Sequence, residues 1–371
     1  IHISSCYSTW IFQYTATPLN PLYSLLTVLS QRHTGMTEQD FSKKLTNWFS
    51  AKIPAKRLVF MEIQDNNKHP DIYIIVPVHN RINFTRQCLQ CLENQSYRDA
   101  QVILVDDGST DGTYQLVREQ FPWVEILLGD GNLWWLGAVN LALQLILKNA
   151  SANDLVLLLN NDLQFDNDYV ERLLKVHIKY PDSIIGSVES NMSHPGQIVK
   201  GGIQTNWWTA KGRRLNSGRC LSDFPPGHLE ETSYVTGRGV LIPVKIFFSI
   251  GLYNPKYVHM GDFEFGVRAK KKGYKLYISY DLVVYNLKND DKGINRDSYK
   301  ISDFFEYLFD ERSYANIKNI YLNALLCTKN PGQALCYFVF SAARITGHFL
   351  KNLSIFHNKT KVFHDSRNTT S

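Results

Sequence analysis

Two short stretches of this chain put carboxylates and amides where a buried apolar run stops. In "VDDGSTDGT", Asp106 and Asp107 follow the apolar run that ends at Val105 and precede a glycine turn. Ser109 or Asp111 in such a turn caps the next helix, but capping does not explain a second acid ahead of the turn. An Asp at a strand end can accept the N3–H of a uracil or thymine ring, a physical route to pyrimidine selectivity. In "LVLLLNNDLQF", Asn160, Asn161 and Asp162 end five apolar residues with neither glycine nor proline to turn the chain. An Asx turn is one explanation. The other is a hard cation: Mg²⁺ is commonly held by one or two carboxylates plus substrate phosphates, with some waters retained. A single Asp is then enough, and the two amides orient a sugar or an ordered water.

Both stretches need strands to carry them to one place. "DIYIIVPVHN", "AQVILVDDGS", "WVEILLGD", "DLVLLLNND" and "SIIGSVES" read as buried β-strands. "NFTRQCLQCLENQ", "TDGTYQLVREQF", "LGAVNLALQLILKN" and "DNDYVERLLKVHIKY" alternate with them and carry helical apolar spacing. That alternation predicts βαβ units and a mostly parallel sheet covered on both faces. Crossover handedness then aligns the strands' carboxyl ends along one edge, where such sheets bind ligands. From about Ser190 the rhythm changes. "GGIQTNWWTAKGRRLNSGRC" and "DFPPGHLEE" read as loops, "SYVTGRGVLIPVKIFFSIGLYN" as strand, turn and short helix, and "GDFEFGVRAKKKGYKLYIS" as a helix stopped by Gly273 before a strand. Lys270, Lys271 and Lys272 read as that helix's solvated end. Residues 301–350 read as two or three amphipathic helices broken at Pro331-Gly332.

Composition limits the function classes. The 371 residues, 44% hydrophobic and 20% charged, suit a globular chain with a sizeable core. Forty Lys+Arg against thirty-four Asp+Glu gives +6, too weak an excess to argue for nucleic acid but suited to a phosphate-bearing substrate or an anionic membrane surface. The six cysteines have no disulfide-framework spacing. Cys88 and Cys91 lack a second pair or a nearby His for zinc and read as the inner face of a helix. No run of about 18 apolar residues predicts a spanning helix. Residues 1–70 are expected to be an extension without an assigned function; they open without an initiator Met and without a secretory leader pattern.

Five segments in order, "IVPVHNR", "VDDGSTDGT", "GDGNLWWLGAVNLAL", "LLLNND" and "GRGVLIPVKIFFSIGLYN" leading to "MGDFEFGVRAKKKGY", resemble the inverting glycosyltransferases of the GT-A fold. The resemblance runs from about Asp71 to Asn286 and is to the family 2 type that includes rhamnosyl- and galactofuranosyltransferases. It implies an α/β GT-A domain over 71–300, with nucleotide-sugar binding in 71–190, an acceptor side and catalytic base in 191–300, and C-terminal helices and tail in 301–371. It also implies roles. Pro77, Val78 and Asn80 would line the nucleotide, with Asp106 and Asp107 near the base and Asn132 and Asn140 bordering the donor sugar and phosphates. Asp162 matches the last acid of a metal-binding triplet for Mg²⁺ or Mn²⁺, with Asn160 standing where the first acid would be. Asn161, Gly237, Arg238 and Gly239 would face the donor sugar and acceptor. Asn286 falls where many relatives carry a His that reaches the metal or diphosphate.

Asp262 matches the family's catalytic base, with Gly261 in place of the Glu that usually precedes it and Glu264 as the other candidate. A sugar hydroxyl is a poor nucleophile, so a carboxylate must take its proton as the bond to C1 forms. In each of the pairs Trp134-Trp135 and Trp207-Trp208, one ring is expected to pack and the other to meet sugar, with Trp135 the choice in the first pair. The implied activity is metal-dependent transfer from a UDP- or dTDP-sugar to a saccharide or lipid-linked acceptor in cell-envelope polysaccharide synthesis. The implied location is the cytoplasm, at the inner face of the plasma membrane. A non-catalytic nucleotide-sugar-binding relative is the alternative. A sugar nucleotidyltransferase would need a glycine-rich basic loop that "PVHNRINF" lacks. "NPGQALCYFVFSAARITGHFLKNLSIF" reads either as an interfacial helix or as a helix packed on the catalytic domain.

Overall fold

The computed structural model describes residues 70–258, 260–287, 301–311, 313 and 315–368. The extension at 1–70 therefore lies almost wholly outside the described residues. The first half alternates as expected: β1 (Ile72–Val78), α1 (Ile82–Glu93), β2 (Ala100–Asp106), α2 (Thr113–Gln120), β3 (Glu125–Leu128), α3 (Trp134–Ile146), β4 (Leu155–Leu158), β5 (Leu163–Gln164), α4 (Tyr169–Lys179) and β6 (Ser183–Asn191). There follow β7 (His194–Lys200), β8 (Ile203–Asn206), β9 (Lys211–Arg214), β10 (Leu229–Glu231), β11 (Val240–Pro243), α5 (Val244–Ile250), α6 (Gly261–Lys271) and β12 (Lys275–Asn286). Helices α7 (Ile301–Phe309), α8 (Ile317–Cys327) and α9 (Pro331–Asn368) complete the described chain.

One sheet runs in the order β3-β2-β1-β4-β11-β6-β12-β10, with β5 beside β12 and β7 beside β6. β1, β2, β3 and β4 pair in parallel, and β6 pairs in parallel with β12. β11 lies antiparallel between β4 and β6. β4 and β6 thus still point the same way, so the carboxyl ends of β1, β2, β3, β4, β6 and β12 share one edge. The start of antiparallel β11 reaches that same edge, which brings the 237–239 loop to the strand ends.

Burial follows from the patterning. β4 is buried along its whole length, as are Ile72, Ile74, Ile75 and Val76 of β1. α1 and α4 cover one face of the sheet in a cluster with Leu89, Val170 and Leu173. α3, α5 and α6 cover the other, through Leu136, Val139, Leu143, Ile246 and Phe265. Cys88 is buried and Cys91 partly so, on the covered side of α1. Two expectations change. "GGIQTNWWTAKGRR" contains a β8–β9 hairpin, with Ile203 opposite Arg214 and Asn206 opposite Lys211. Its strands are short and largely exposed, so they lack the apolar alternation that marks a half-buried strand. Lys270 and Lys271 are not merely a solvated helix end. Lys270 pairs with Glu231 at 2.7 Å, and Lys271 donates to the carbonyls of Leu326 and Thr328, tying α6 to β10 and to the end of α8.

The C-terminal helices pack on one side. Trp207 stacks on Tyr337 of α9, 5.6 Å between ring centroids, and Arg344 donates to the carbonyls of Thr209 and Ala210. Tyr321, Leu325, Leu335, Val339 and Phe340 of α8 and α9 remain exposed. Among the described residues no helix is long and apolar enough to cross a membrane.

Candidate active site

At the β1 and β2 ends, loops are shaped by side chains that capture backbone N–H groups. Asp107 accepts from the N–H of Gly131 at 2.8 Å, Leu133 at 3.2 Å and Trp134 at 2.9 Å. These are the orphan amides around the start of α3, and a carboxylate there is also favoured by the helix dipole. Asp106 is buried and accepts from the N–H of Ser109 at 2.9 Å. Asp111 joins two helix starts, accepting from Ile82 of α1 at 2.8 Å and from the N–H and hydroxyl of Thr113 in α2. Burial raises its carboxyl, but those hydrogen bonds outweigh it and hold the group below its ordinary value. Asn80 takes the N–H of Thr110 at 2.9 Å and gives its own N–H to Ser109. Both oxygens of Asp107 thus organise the loop ahead of α3.

The β4 end carries the triplet. Asn160 Oδ1 accepts from the Trp135 indole at 2.9 Å, and Asn161 donates to the Thr85 hydroxyl at 3.0 Å. Asp162 is 3% exposed. Its Oδ2 meets Arg81 at 3.3 Å, while its Oδ1 is buried without a hydrogen-bond partner. A buried carboxylate oxygen with no donor is costly, and a cation is what would satisfy it. The residues fit a divalent ion on that ground, although no three His, Cys, Asp or Glu side chains cluster for an ion among the described residues. Asn286 ends β12 next to Leu287, whose N–H donates to the Asp162 carbonyl at 2.9 Å.

Two cavities open along this edge. One, of about 350 Å³, is lined by Pro77, Val78, His79, Arg81, Asp107, Gly131, Trp134, Trp135, Asn160 and Asn161 among others. The second, of about 640 Å³, is lined by Trp135, Asn160, Glu189, Lys200, Arg214, Tyr234, Thr236, Gly237, Arg238 and Asp262 among others. Trp135 and Asn160 belong to both. Trp135 is therefore the wall between them. Its ring meets Tyr253 edge-on at 5.8 Å, Tyr253 stacks on Phe265 of α6, and the Tyr253 backbone is clasped by both ends of the Asn140 amide. The structure gives Asn140 that positioning task, and it lines neither cavity. Asn132, on the exposed loop beside Gly131, and buried Asp106 do not line one either.

Gly237 lines the larger cavity and Gly239, which lines neither, follows it into β11. A Cβ on Gly237 would stand 2.0 Å from the Trp135 ring, and Gly239 has a φ of +76° with the Tyr169 hydroxyl 2.5 Å from where its Cβ would be. Asp262 sits in the first turn of α6, its Oδ1 accepting from Phe263 N–H at 2.9 Å. Burial and then the Asp262 carboxylate raise the Tyr253 phenol above its ordinary value. Glu264 is buried and held by Arg268 through both oxygens, at 2.8 and 3.0 Å, while Arg268 also reaches the carbonyl of Leu252. That pair leaves Asp262 as the acid of α6 that faces a cavity. Trp134 and Trp208 are about half exposed, whereas Trp207 packs among Phe263, Tyr234 and Tyr337.

The sequence reading passed over Glu189, Lys200 and Thr236. Glu189 bonds Lys200 at 2.6 Å and Thr236 at 3.0 Å and lies 3.5 Å from Arg238. Burial would raise its carboxyl, but the two cations and their hydrogen bonds hold it below the ordinary 4.5. The available signal was an acid in the buried run "SIIGSVES", the same strand-end logic that singled out Asp162.

Comparison with known proteins identifies the family of the first part of the described chain. Residues 73–228 match the model for Glycosyl transferase family 2. The chain is similar to Glycosyltransferase GlyA of Streptococcus pneumoniae, 32% identical over 30% of this chain and 16% of that protein. It is also similar to the N-acetylglucosaminyl-diphospho-decaprenol L-rhamnosyltransferase of Mycobacterium tuberculosis, 26% identical over 50% of this chain and 66% of that protein. The crystal structure of Staphylococcus aureus TarS residues 1–349 aligns with a TM-score of 0.46 at 16% identity, over 73% of this chain and 70% of that one, too slight a likeness to support a conclusion. The chain thus spans less than two thirds of either curated relative, and the family match ends ahead of Asp262. Over residues 73–228, this chain carries a Glycosyl transferase family 2 domain.

Proposed function

We propose that this chain is a metal-dependent inverting glycosyltransferase that moves a sugar from a UDP- or dTDP-sugar to a saccharide or lipid-linked acceptor in cell-surface polysaccharide synthesis. The observation that carries the reading is the pair of cavities sharing Trp135 and Asn160, with the family-matched donor loops on one side and Asp262 on the other. The donor's nucleotide and diphosphate would lie in the smaller cavity against Pro77, Val78 and the α3 start. The acceptor would enter the larger one, beside Lys200, Arg214 and Arg238, whose charge suits an acceptor carrying a phosphate or carboxylate.

In a single displacement, the acceptor hydroxyl oxygen bonds to the sugar C1 as the bond from C1 to the diphosphate oxygen breaks, and the configuration inverts. Asp262 takes the hydroxyl proton, while Glu264, neutralised by Arg268, fixes the loop at 250–253. A Mg²⁺ or Mn²⁺ ion would be held by Asp162, with Asn160 beside it at the β4 end and Asn286 at the β12 end as further candidate ligands, and would neutralise charge on the diphosphate. Trp135 excludes water between the two sites and orients the sugar, and Gly237 gives it room. The test is a screen of nucleotide sugars with Mg²⁺ or Mn²⁺, reading transfer and donor hydrolysis. Binding without either reaction would mark the chain as a non-catalytic relative.

The same reading extends to location. The exposed apolar residues of α8 and α9 would rest on the inner face of the plasma membrane, near a lipid-linked acceptor. Sedimentation with anionic vesicles should carry the chain down, and Leu325→Ser with Phe340→Ser should release it; equal sedimentation of both would remove this part.

A further inference from the structure

Arg81 stands in an unusual place. It precedes α1 with φ 65° and follows Asn80 at φ 57°, so two successive non-glycine residues are left-handed. Such backbone is disfavoured and persists where its surroundings enforce it. Here Asn80 is fastened to Ser109 and Thr110, and the Ile82 N–H to Asp111. The result is a side chain carried over the end of β4, at the rim of the smaller cavity, with a guanidinium N–H 3.3 Å from Asp162 Oδ2. The Arg81 side chain is 44% exposed and that of Asp162 4%. Guanidinium has five N–H donors in a fixed fork that fits phosphate oxygens, and the long contact to Asp162 engages one of them.

We infer that Arg81 is a built-in cation that exchanges partners: it balances Asp162 before the donor arrives, and turns to the donor's diphosphate when a divalent ion takes Asp162. The inference rests on the proposed donor and metal reading and adds a competitor to it. A triplet with a single acid gains from this arrangement, because burying Asp162 without any counterion would destabilise the fold. The exchange also links ion and donor: the ion displaces Arg81 more readily when a diphosphate is there to receive it.

Mn²⁺ binding without nucleotide, followed by electron paramagnetic resonance, and UDP and dTDP binding in EDTA, followed by calorimetry, test it on the full chain. Arg81→Ala should bind Mn²⁺ about tenfold more tightly and the nucleotide in EDTA about tenfold more weakly, with Arg81→Lys between it and the wild type. Unchanged Mn²⁺ and nucleotide affinities in Arg81→Ala would overturn the exchange. If Asp162→Asn loses Mn²⁺ while Arg81→Ala behaves as wild type, the exchange fails and the metal reading stands. If Asp162→Asn keeps its Mn²⁺ affinity, the metal reading fails, and the exchange fails with it.

Discussion

Asp107 and Glu189 are both buried acids near the carboxyl ends of sheet strands, yet they meet their charge in opposite ways. Asp107 is satisfied by three backbone N–H groups within 27 residues of it. Glu189 is satisfied by side chains, Lys200, Thr236 and Arg238, drawn from β7 and the loop ahead of β11. The contrast extends to the halves they belong to. At the β1 and β2 ends, Asp106, Asp107, Asp111 and Asn80 shape loops by taking amides, whose positions follow from the local backbone. In the second half, Glu189, Glu231 and Glu264 are held by Lys and Arg side chains, and Glu189 lines the larger cavity. Backbone capture ties a carboxylate to the course of the chain, whereas an ion pair depends on side chains that can be exchanged one at a time. On the proposed reading, the first suits a constant donor diphosphate and the second an acceptor that varies.

The sharpest way to separate the halves is through the proposed base. Asp262→Asn should lower transfer by about 10²–10⁴-fold, while UDP affinity measured by calorimetry stays unchanged; a loss of UDP binding would erase the division. Next comes the wall between the cavities. Gly237→Ala would drive a methyl group into the Trp135 ring, and steady-state kinetics should show a loss on the order of 10²-fold through misplacement. Trp135→Leu in the same chain should recover part of kcat, which general unfolding would not allow.

Asp107→Ala should destabilise the chain by roughly 2–4 kcal/mol in urea unfolding, because several amides lose their acceptor together. It should also weaken UDP binding. The smallest effect is expected at Glu189. Its folded-state carboxyl lies below the ordinary 4.5, so its contribution is complete above that pH and is lost as pH falls through the lower, folded value. Glu189→Gln should cost roughly 1–3 kcal/mol at pH 7, less than a fully buried pair because Lys200 and Arg238 keep some water contact. Unfolding followed from pH 7 to pH 3 should then show a flatter acid limb in the variant.

The same contrast explains what could be read from the chain alone. "VDDGSTDGT" and "LLLNND" are legible because each concentrates a strand end, a turn and its polar groups in a few residues. The parallel β1–β4 block follows from its alternation of buried strands and helices. The bond from Asn140 to the Tyr253 backbone could not be read: a helix position says which way an amide faces, but not that Tyr253 arrives opposite it, 113 residues later. Glu189 was passed over because its partners come from separate segments, and the β8–β9 hairpin because its faces carry no apolar alternation. The resemblance pointed to Asp262; its separation from Glu264 needed Arg268 in three dimensions.

Gly261 departs from the acid that the resemblance leads one to expect, and Leu136 stands within 2.5–3.0 Å of where its Cβ would be. The two positions are therefore coupled. A side chain introduced at 261 alone meets Leu136 and presses on the helix that carries Asp262. After Leu136→Ala the same side chain gains space, but the truncation opens a cavity in the core at a cost of roughly 2–5 kcal/mol. The residue at 136 thus sets which side chain position 261 admits, and changes at the two sites should not be additive.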